Sequence, residues 1–326
     1  MISRLRFEVA DAVRARGLWA PGARVGVAVS GGLDSVCLLD LLVASQGVHG
    51  GRLEVITIDH GTRPDSAADA DFVASLAQAH ALPLHRHTLS LGPDASEAAC
   101  RQARFRGFAD VQVDVVALAH HRDDQVESVL LALLRGAGSR GQGGMRWRRG
   151  RYVRPLLDLP RSALQAWAAH RGLTWRDDPT NTDPRYLRNR LRALLPELLG
   201  LREGSAAAIA RGAALRAEDD ALLHLLAAES EAWRPSPPAW SRAWVASAPA
   251  PLVRRCLLQR LSMARSAEVG AGVVEAVMRA ARRGRGRIEL SSTVAVVVGE
   301  EWVLIDGVSE GQAALLAGSR YMDGPA

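Results

Sequence analysis

An α/β fold built on a parallel sheet is predicted by three observations. Short β-branched runs alternate with stretches of helical apolar spacing through the first half of the chain. The helices are long enough to act as crossovers between parallel strands. The strands run straight into glycines, histidines and aspartates, the residue types of a ligand-bearing sheet edge.

The elements follow in order. A first helix lies within Met1 to Ala20. Its scattered charges (Arg4, Arg6, Glu8, Asp11, Arg14, Arg16) and the lack of an apolar core or small-residue cleavage site argue against a secretory signal, so a cytoplasmic protein is expected. Arg24 to Ser30 (RVGVAVS) reads as a buried strand, and Asp34 to Ser45 as a helix. Leu53 to Asp59 is a second strand ending in His60-Gly61, and Ala67 to Ala81 a second helix. Leu84 to Leu89 is a third strand, and a helix opens at Asp94-Ala95-Ser96-Glu97 and runs to about Val111. Val115 to Ala119 is a fourth strand ending in His120-His121, followed by a helix from Asp123 to Arg135. This is a Rossmann-like arrangement.

After a glycine-rich stretch, Gly136 to Gly144, comes the basic patch Arg146 to Arg151, then a short edge strand at Tyr152 to Arg154. A helix follows Pro160, then a polar turn, Asp177 to Asp183, and an Arg-rich segment, Arg185 to Leu195. Ser205 to Trp233 reads as one long helix, after which the Pro/Ser stretch Pro235 to Pro238 interrupts the chain. Helices are expected at Pro251 to Arg265 and Ala271 to Arg282, and short strands at Arg287 to Leu290, Thr293 to Val298 and Trp302 to Ile305. The expected division is a catalytic α/β domain, 1–200, and a smaller part, 201–326, made of a connector helix and a mostly helical domain with a short β hairpin region.

Composition narrows the class. No apolar run in the 326 residues approaches the roughly 20 needed to span a bilayer. The three cysteines, Cys37, Cys100 and Cys256, are far apart and form no C-x-x-C pair, which argues against a disulfide framework or a structural zinc site. The net charge of +6 and pI near 10.1 favour an anionic partner. All 41 basic residues are arginine, so no lysine is available as a Schiff-base nucleophile, a general base or a phosphate-loop cation.

Ser30-Gly31-Gly32-Leu33-Asp34-Ser35 joins the first strand to its helix. Glycines let the backbone turn tightly, and the unpaired N–H groups of the turn and of the helix start form an anion site. The hydroxyls of Ser30 and Ser35 add donors, and Asp34 is a candidate Mg²⁺ ligand. A kinase-type phosphate loop fails for want of lysine, and G-x-G-x-x-G is absent.

The loop resembles the PP-loop of the ATP pyrophosphatase superfamily. Four further segments resemble one family within it, the tRNA(Ile)-lysidine synthetases, in a short form. They are Ile58 to Arg63; Glu97 to Phe105; His120 to Ser128 with Arg135 to Gly138; and Asp177 to Asp183 followed by Tyr186 to Arg190. Arg154-Pro155-Leu156-Leu157 is similar too. Thr62, Ala119, Ser128 and Gln142 depart from the family pattern.

The resemblance implies an ATP-dependent carbon–nitrogen ligase that joins L-lysine to C2 of the wobble cytidine of a CAU-anticodon isoleucine tRNA. The C2 oxygen is first adenylated with loss of pyrophosphate, and the lysine amine then displaces AMP. ATP contacts are expected from Ser30 to Ser35, Asp59, His60 and Arg104, with Arg101 the alternative to Arg104 at the α-phosphate. Asp34, Arg104 and Asp124 are the expected catalytic residues. Asp124 and Glu127, spaced i, i+3 on one helix face, suit a lysine ammonium. Asp123 is a second proton acceptor or a helix cap. Phosphate contacts to RNA are expected from Arg140, Arg146, Arg148, Arg149 and Arg151, from Arg188, Asn189 and Arg190 with neighbouring Arg185 and Arg192, and from a third patch at Arg279 to Arg287. Trp147 is a stacking candidate. A homodimer is one expectation for assembly. The competing readings are a tRNA-thiolating enzyme of the same superfamily and a non-catalytic tRNA-binding protein.

Overall fold

The computed structural model describes residues 2–59, 66–89, 97–176, 187–265 and 269–318. The chain forms two compact units, Met1–Ala217 and Glu218–Ala326. The boundary between these units falls within the long helix Ser205–Ser230.

In the first unit, α1 (Leu5–Ala15) precedes β1 (Arg24–Ala28), α2 (Leu33–Ala44), the one-turn α3 (Gln46–His49) and β2 (Arg52–Asp59). Then come α4 (Ser66–Ala79), β3 (Leu84–Thr88), α5 (Glu97–Ala109), β4 (Val115–Ala117), α6 (Arg122–Leu134) and the one-turn α7 (Ser139–Gln142). The strands β5 (Arg148–Arg149) and β6 (Tyr152–Val153) are followed by α8 (Arg161–Arg171), α9 (Leu187–Gly200) and α10 (Ser205–Ser230). The sheet order is β3-β2-β1-β4-β6-β5. All pairs are parallel except β5–β6. Tyr152–Val153 is therefore an inner strand, because Arg148–Arg149 folds back on it and takes the edge.

The period of two along each strand sends alternate side chains to two cores. Val25, Val27, Leu53, Val55, Val115 and Ala117 pack in one cluster with residues of α1, α2, α4 and α8. Ile56, Val116 and Leu118 pack on the other face with Phe108 of α5 and Val111. Gly26 pairs with Glu54 of β2, and a Cβ on it would stand 2.4 Å from the Ile56 Cδ1, so any larger residue there would force the Ile56 side chain to shift.

β1 has β2 on one side and β4 on the other, and the chain winds outward in both directions from that pair. This is the switch point of an open parallel sheet, where ligands bind beyond the carboxyl ends of the strands. The Ser30 loop and His120-His121 flank it.

The second unit contains a sheet larger than the expected hairpin region. β7 (Trp233–Pro235), β8 (Pro238–Ser241), β9 (Gly286–Glu289), β10 (Ala295–Val298) and β11 (Trp302–Asp306) form an antiparallel sheet in the order β7-β8-β11-β10-β9. The helices α11 (Arg242–Ser247), α12 (Ala250–Arg265), α13 (Ala271–Arg283) and α14 (Glu310–Gly318) complete the unit. The proline segment read as an interruption is the first hairpin. Pro235 and Pro238 oppose each other next to its turn, so neither removes a donor from the middle of the ladder.

Candidate active site

The Ser30 loop is built as the sequence implies. Gly31 has φ +89°, a conformation that L side chains avoid. Gly32 is the N-cap of α2, and Val36 closes the first turn onto the Gly32 carbonyl. The Ser35 hydroxyl accepts the Ser30 N–H at 3.2 Å and donates to the Gly32 carbonyl at 2.9 Å. The Ser35 hydroxyl is thus engaged within the loop. The Ser30 residue is exposed, while Leu33 is buried in the core and offers the site only its backbone. On the far side of the loop, the Arg176 N–H donates to the Gly31 carbonyl at 3.0 Å and its guanidinium pairs with Asp69.

Asp34 is the meeting point of three helix starts. Its Oδ2 lies 3.5 Å from Nε2 of His121, the N-cap of α6. Its Oδ1 lies 3.4 Å from Nε of Arg161, the first residue of α8. Burial pushes the Asp34 carboxyl up, but the hydrogen bonds and charges of His121 and Arg161 outweigh it and hold the pKa below the ordinary value. Burial likewise lowers His121, yet Asp34, Asp124 and Asp123 more than compensate and hold its pKa above the ordinary imidazole value. Nε2 of His121 is also 3.5 Å from Asp124 Oδ2, so the ring sits between two carboxylates.

Asp124 and Glu127 do share one face of α6, but both are already engaged. The Asp124 Oδ2 accepts the His121 N–H at 3.1 Å, and its Oδ1 lies 3.4 Å from Arg192. The Glu127 side chain is only 4% exposed; Oε2 takes Arg188 Nε at 2.7 Å and Oε1 takes Arg192 Nε at 2.5 Å. Arg188, read as an RNA ligand, thus clamps α9 to α6, as does Arg192. Val126 and Leu131 of α6 reinforce that clamp against Leu191 and Leu195. Glu127→Ala should destabilise the fold by about 1–3 kcal/mol, below the full cost of an orphaned buried charge because both arginines reach water. Urea unfolding of the variant measures it.

Other expected residues have other places. Asp59 is buried at the end of β2, and Arg104 is exposed on α5. His60, the Asp177–Asp183 turn, Arg185 and Tyr186 lie outside the described residues, as does the side chain of Arg101. Arg151 is turned inward, donating to the Val111 and Val113 carbonyls at 2.8 and 2.7 Å. These carbonyls belong to the turn that leads from α5 into β4. Trp147 packs against the main core, with the Arg16 guanidinium 5.0 Å from its ring. Arg140, Arg146, Arg148, Arg149 and Arg190 are exposed, and Asn189 is half-buried. The chain between Arg140 and Arg146 is tied to α6 by Gln125, which exchanges two hydrogen bonds with the Met145 backbone. Gln142, a departure from the family pattern, donates to the Ala137 carbonyl at 2.6 Å and accepts from Arg216.

A family model for the PP-loop domain matches residues 6–198. A curated tRNA(Ile)-lysidine synthase from Thermobifida fusca is 36% identical over 286 residues, covering 82% of this chain and 87% of the relative. The chain belongs to the tRNA(Ile)-lysidine synthase family. The tRNA(Ile)-lysidine synthase of Geobacter sulfurreducens is 43% identical over 231 residues, covering 66% of this chain and 48% of that protein. The chain spans about half the length of several such lysidine synthases that it matches. Among solved structures, a U34-tRNA thiolase from Methanococcus maripaludis superposes with a TM-score of 0.53 at 18% identity, covering 65% of this chain and 79% of the other. That likeness is one of fold. Arg161, which the motifs of the sequence did not single out, is brought by the fold against Asp34 of the loop. The signal was present: it follows Pro160, just beyond the Arg154-Pro155-Leu156-Leu157 segment that leaves a central strand.

Proposed function

We propose that this chain ligates L-lysine to C2 of the wobble cytidine of the CAU-anticodon isoleucine tRNA, converting ATP to AMP and pyrophosphate. The observation that carries the reading is the convergence at the sheet's switch point of the glycine loop, the His121–Asp124 start of α6 and an arginine-bearing helix, α9. The family's other segments supply its context.

The backbone N–H groups of Gly31 to Asp34 receive the phosphates. Asp34, in the first turn of α2 within the loop, supplies the carboxylate for Mg²⁺. Among the described residues no group of three or more His, Cys, Asp or Glu forms a protein cage for a metal. A single carboxylate supplemented by phosphate oxygens is the donor set Mg²⁺ ordinarily takes. Bound there, Mg²⁺ would neutralise phosphate charge.

The cytidine C2 oxygen attacks the α-phosphorus, and the bond to pyrophosphate breaks. The ε-amine of lysine then attacks C2, the C2–O bond breaks, and AMP leaves with that oxygen. The amine's surplus proton passes to the carboxylate of Asp124, or to that of Asp123 beside it. Lysine's ammonium takes Asp124 and Glu127 only where it displaces the guanidinium groups of Arg188 and Arg192. Arg104 serves the α-phosphate, and Asp59 lines the nucleoside pocket. Arg140, Arg146, Arg148, Arg149 and Arg190 receive RNA phosphates, which supply affinity and not sequence readout.

The test is incubation of the protein with ATP, Mg²⁺, labelled lysine and the CAU-anticodon isoleucine tRNA. Label is expected in the RNA. Retained tRNA binding without label transfer would favour a binding protein, and sulfur transfer without lysine transfer would favour the thiolation reading.

A further inference from the structure

We propose that Arg161 is the cation that grips the pyrophosphate end of ATP. This rests on the reading that the Ser30 loop binds ATP, and it fills a role that a chain without lysine cannot give to lysine.

Arg161 is placed by its backbone. It is the first residue of α8, after Pro160 as N-cap, and its N–H donates to the Asp123 carboxylate at 3.3 Å. Its position is therefore locked to the start of α6. Its guanidinium reaches across to Asp34, in the first turn of α2, through one contact of 3.4 Å. The amino ends of α2, α6 and α8 converge here, and their dipoles all favour an anion at this point.

The neighbouring cations are committed elsewhere. His121 is enclosed, its side chain 4% exposed, between Asp34 and Asp124. Arg188 and Arg192 hold Glu127. Arg176 pairs with Asp69 at 3.0 Å, and Arg154 donates to the Arg146 carbonyl at 2.7 Å. Arg161 combines a fixed Cα, a side chain 49% exposed and one long contact to the loop's own carboxylate. A single long ion-pair contact at a half-exposed site is weak. Its fork can leave Asp34 for two phosphate oxygens, a bidentate arrangement stronger than the contact it gives up.

The chemistry locates the benefit. When the bond between the α-phosphorus and the bridging oxygen breaks, its electron pair goes to the leaving pyrophosphate. Charge grows on the β- and γ-phosphates and not on AMP, so a cation on that side stabilises the transition state.

The experiment is calorimetric titration of the full chain with ATP, AMP and pyrophosphate in turn, each with Mg²⁺, for the wild type, Arg161→Ala and Arg161→Lys. Urea unfolding of each is measured in parallel. Arg161→Ala should weaken pyrophosphate and ATP binding by about 10–100-fold, with AMP affinity and the unfolding midpoint unchanged. Arg161→Lys should recover part of the loss, as a point charge without the fork. Unchanged pyrophosphate affinity, or equal weakening of AMP and pyrophosphate, would overturn the role of Arg161. If the wild type bound neither ATP nor pyrophosphate, the nucleotide reading of the loop would fall, and this proposal with it.

Discussion

Asp34→Ala is expected to lower pyrophosphate release by roughly 10²–10³-fold, the scale seen when one group aimed at transition-state charge is removed. Asp34 is the carboxylate within the loop, and the starts of α6 and α8 are both oriented on it through His121 and Arg161. On the proposed mechanism its loss would remove the metal's oxygen donor, and it releases His121 and Arg161 from their shared partner. Release within a few-fold of wild type would take Asp34 out of the mechanism. The same substitution carries a pH signature. The depressed Asp34 carboxyl stabilises the fold above the ordinary carboxylate pKa, and that contribution fades as pH falls through the lowered value. The elevated His121 stabilises below the ordinary imidazole pKa, and its contribution fades as pH rises through the raised value. Both groups are charged between about pH 4 and pH 6.5, so the stability gap between wild type and variant should be widest there. Metal-free urea unfolding at about pH 5.5 and pH 8.5 compares the two regimes; a gap that grows toward alkaline pH contradicts the assignment.

The largest loss of stability is expected outside the active site, in Glu231→Ala. Glu231 and Arg260 form a bidentate pair at 2.8 and 2.7 Å, with side chains only 4% and 6% exposed. Trp240 Nε1 donates to the same carboxylate at 2.7 Å. The guanidinium also donates to the Leu316 carbonyl at 3.1 Å and lies 4.1 Å from the Trp233 ring. Truncating Glu231 leaves a charge in the core of the second unit without this carboxylate, and strands an indole N–H. Breaking a buried pair from one side costs about 3–5 kcal/mol. Unfolding of that unit, followed by tryptophan fluorescence in urea, should shift by that amount. A double variant, Glu231→Leu with Arg260→Met, should recover part of it, because two apolar residues leave no orphaned charge. If the single and double variants were equally destabilised, packing and not charge would be the cause.

Much of the architecture is local and was readable for that reason. The β-branched runs Arg24–Ala28 and Arg52–Asp59 carry their two-residue period in the sequence, and the helices between them carry apolar spacing. Gly31 in Ser30-Gly31-Gly32 announces a backbone that only glycine adopts readily, and the structure has it at φ +89°. The C-terminal sheet was underread because its strands are short and two hold prolines. Strand pairing is a non-local choice that such segments do not advertise.

The candidate site divides in the same way. By itself the sequence determined the loop, the carboxylates of α6 on one helical face and the need for arginine wherever a cation meets phosphate. These depend on spacing along one element, or on which residue types exist at all. Only the tertiary structure decided which arginine meets which acid. Arg161 reaches Asp34 across 127 positions, and Arg188 and Arg192 reach Glu127 across 61 and 65. A guanidinium's charge is the same toward RNA phosphate, ATP or a carboxylate of its own chain. Its partner is set by where the fold places its Cα and how much water remains around it, quantities that no spacing along the chain contains.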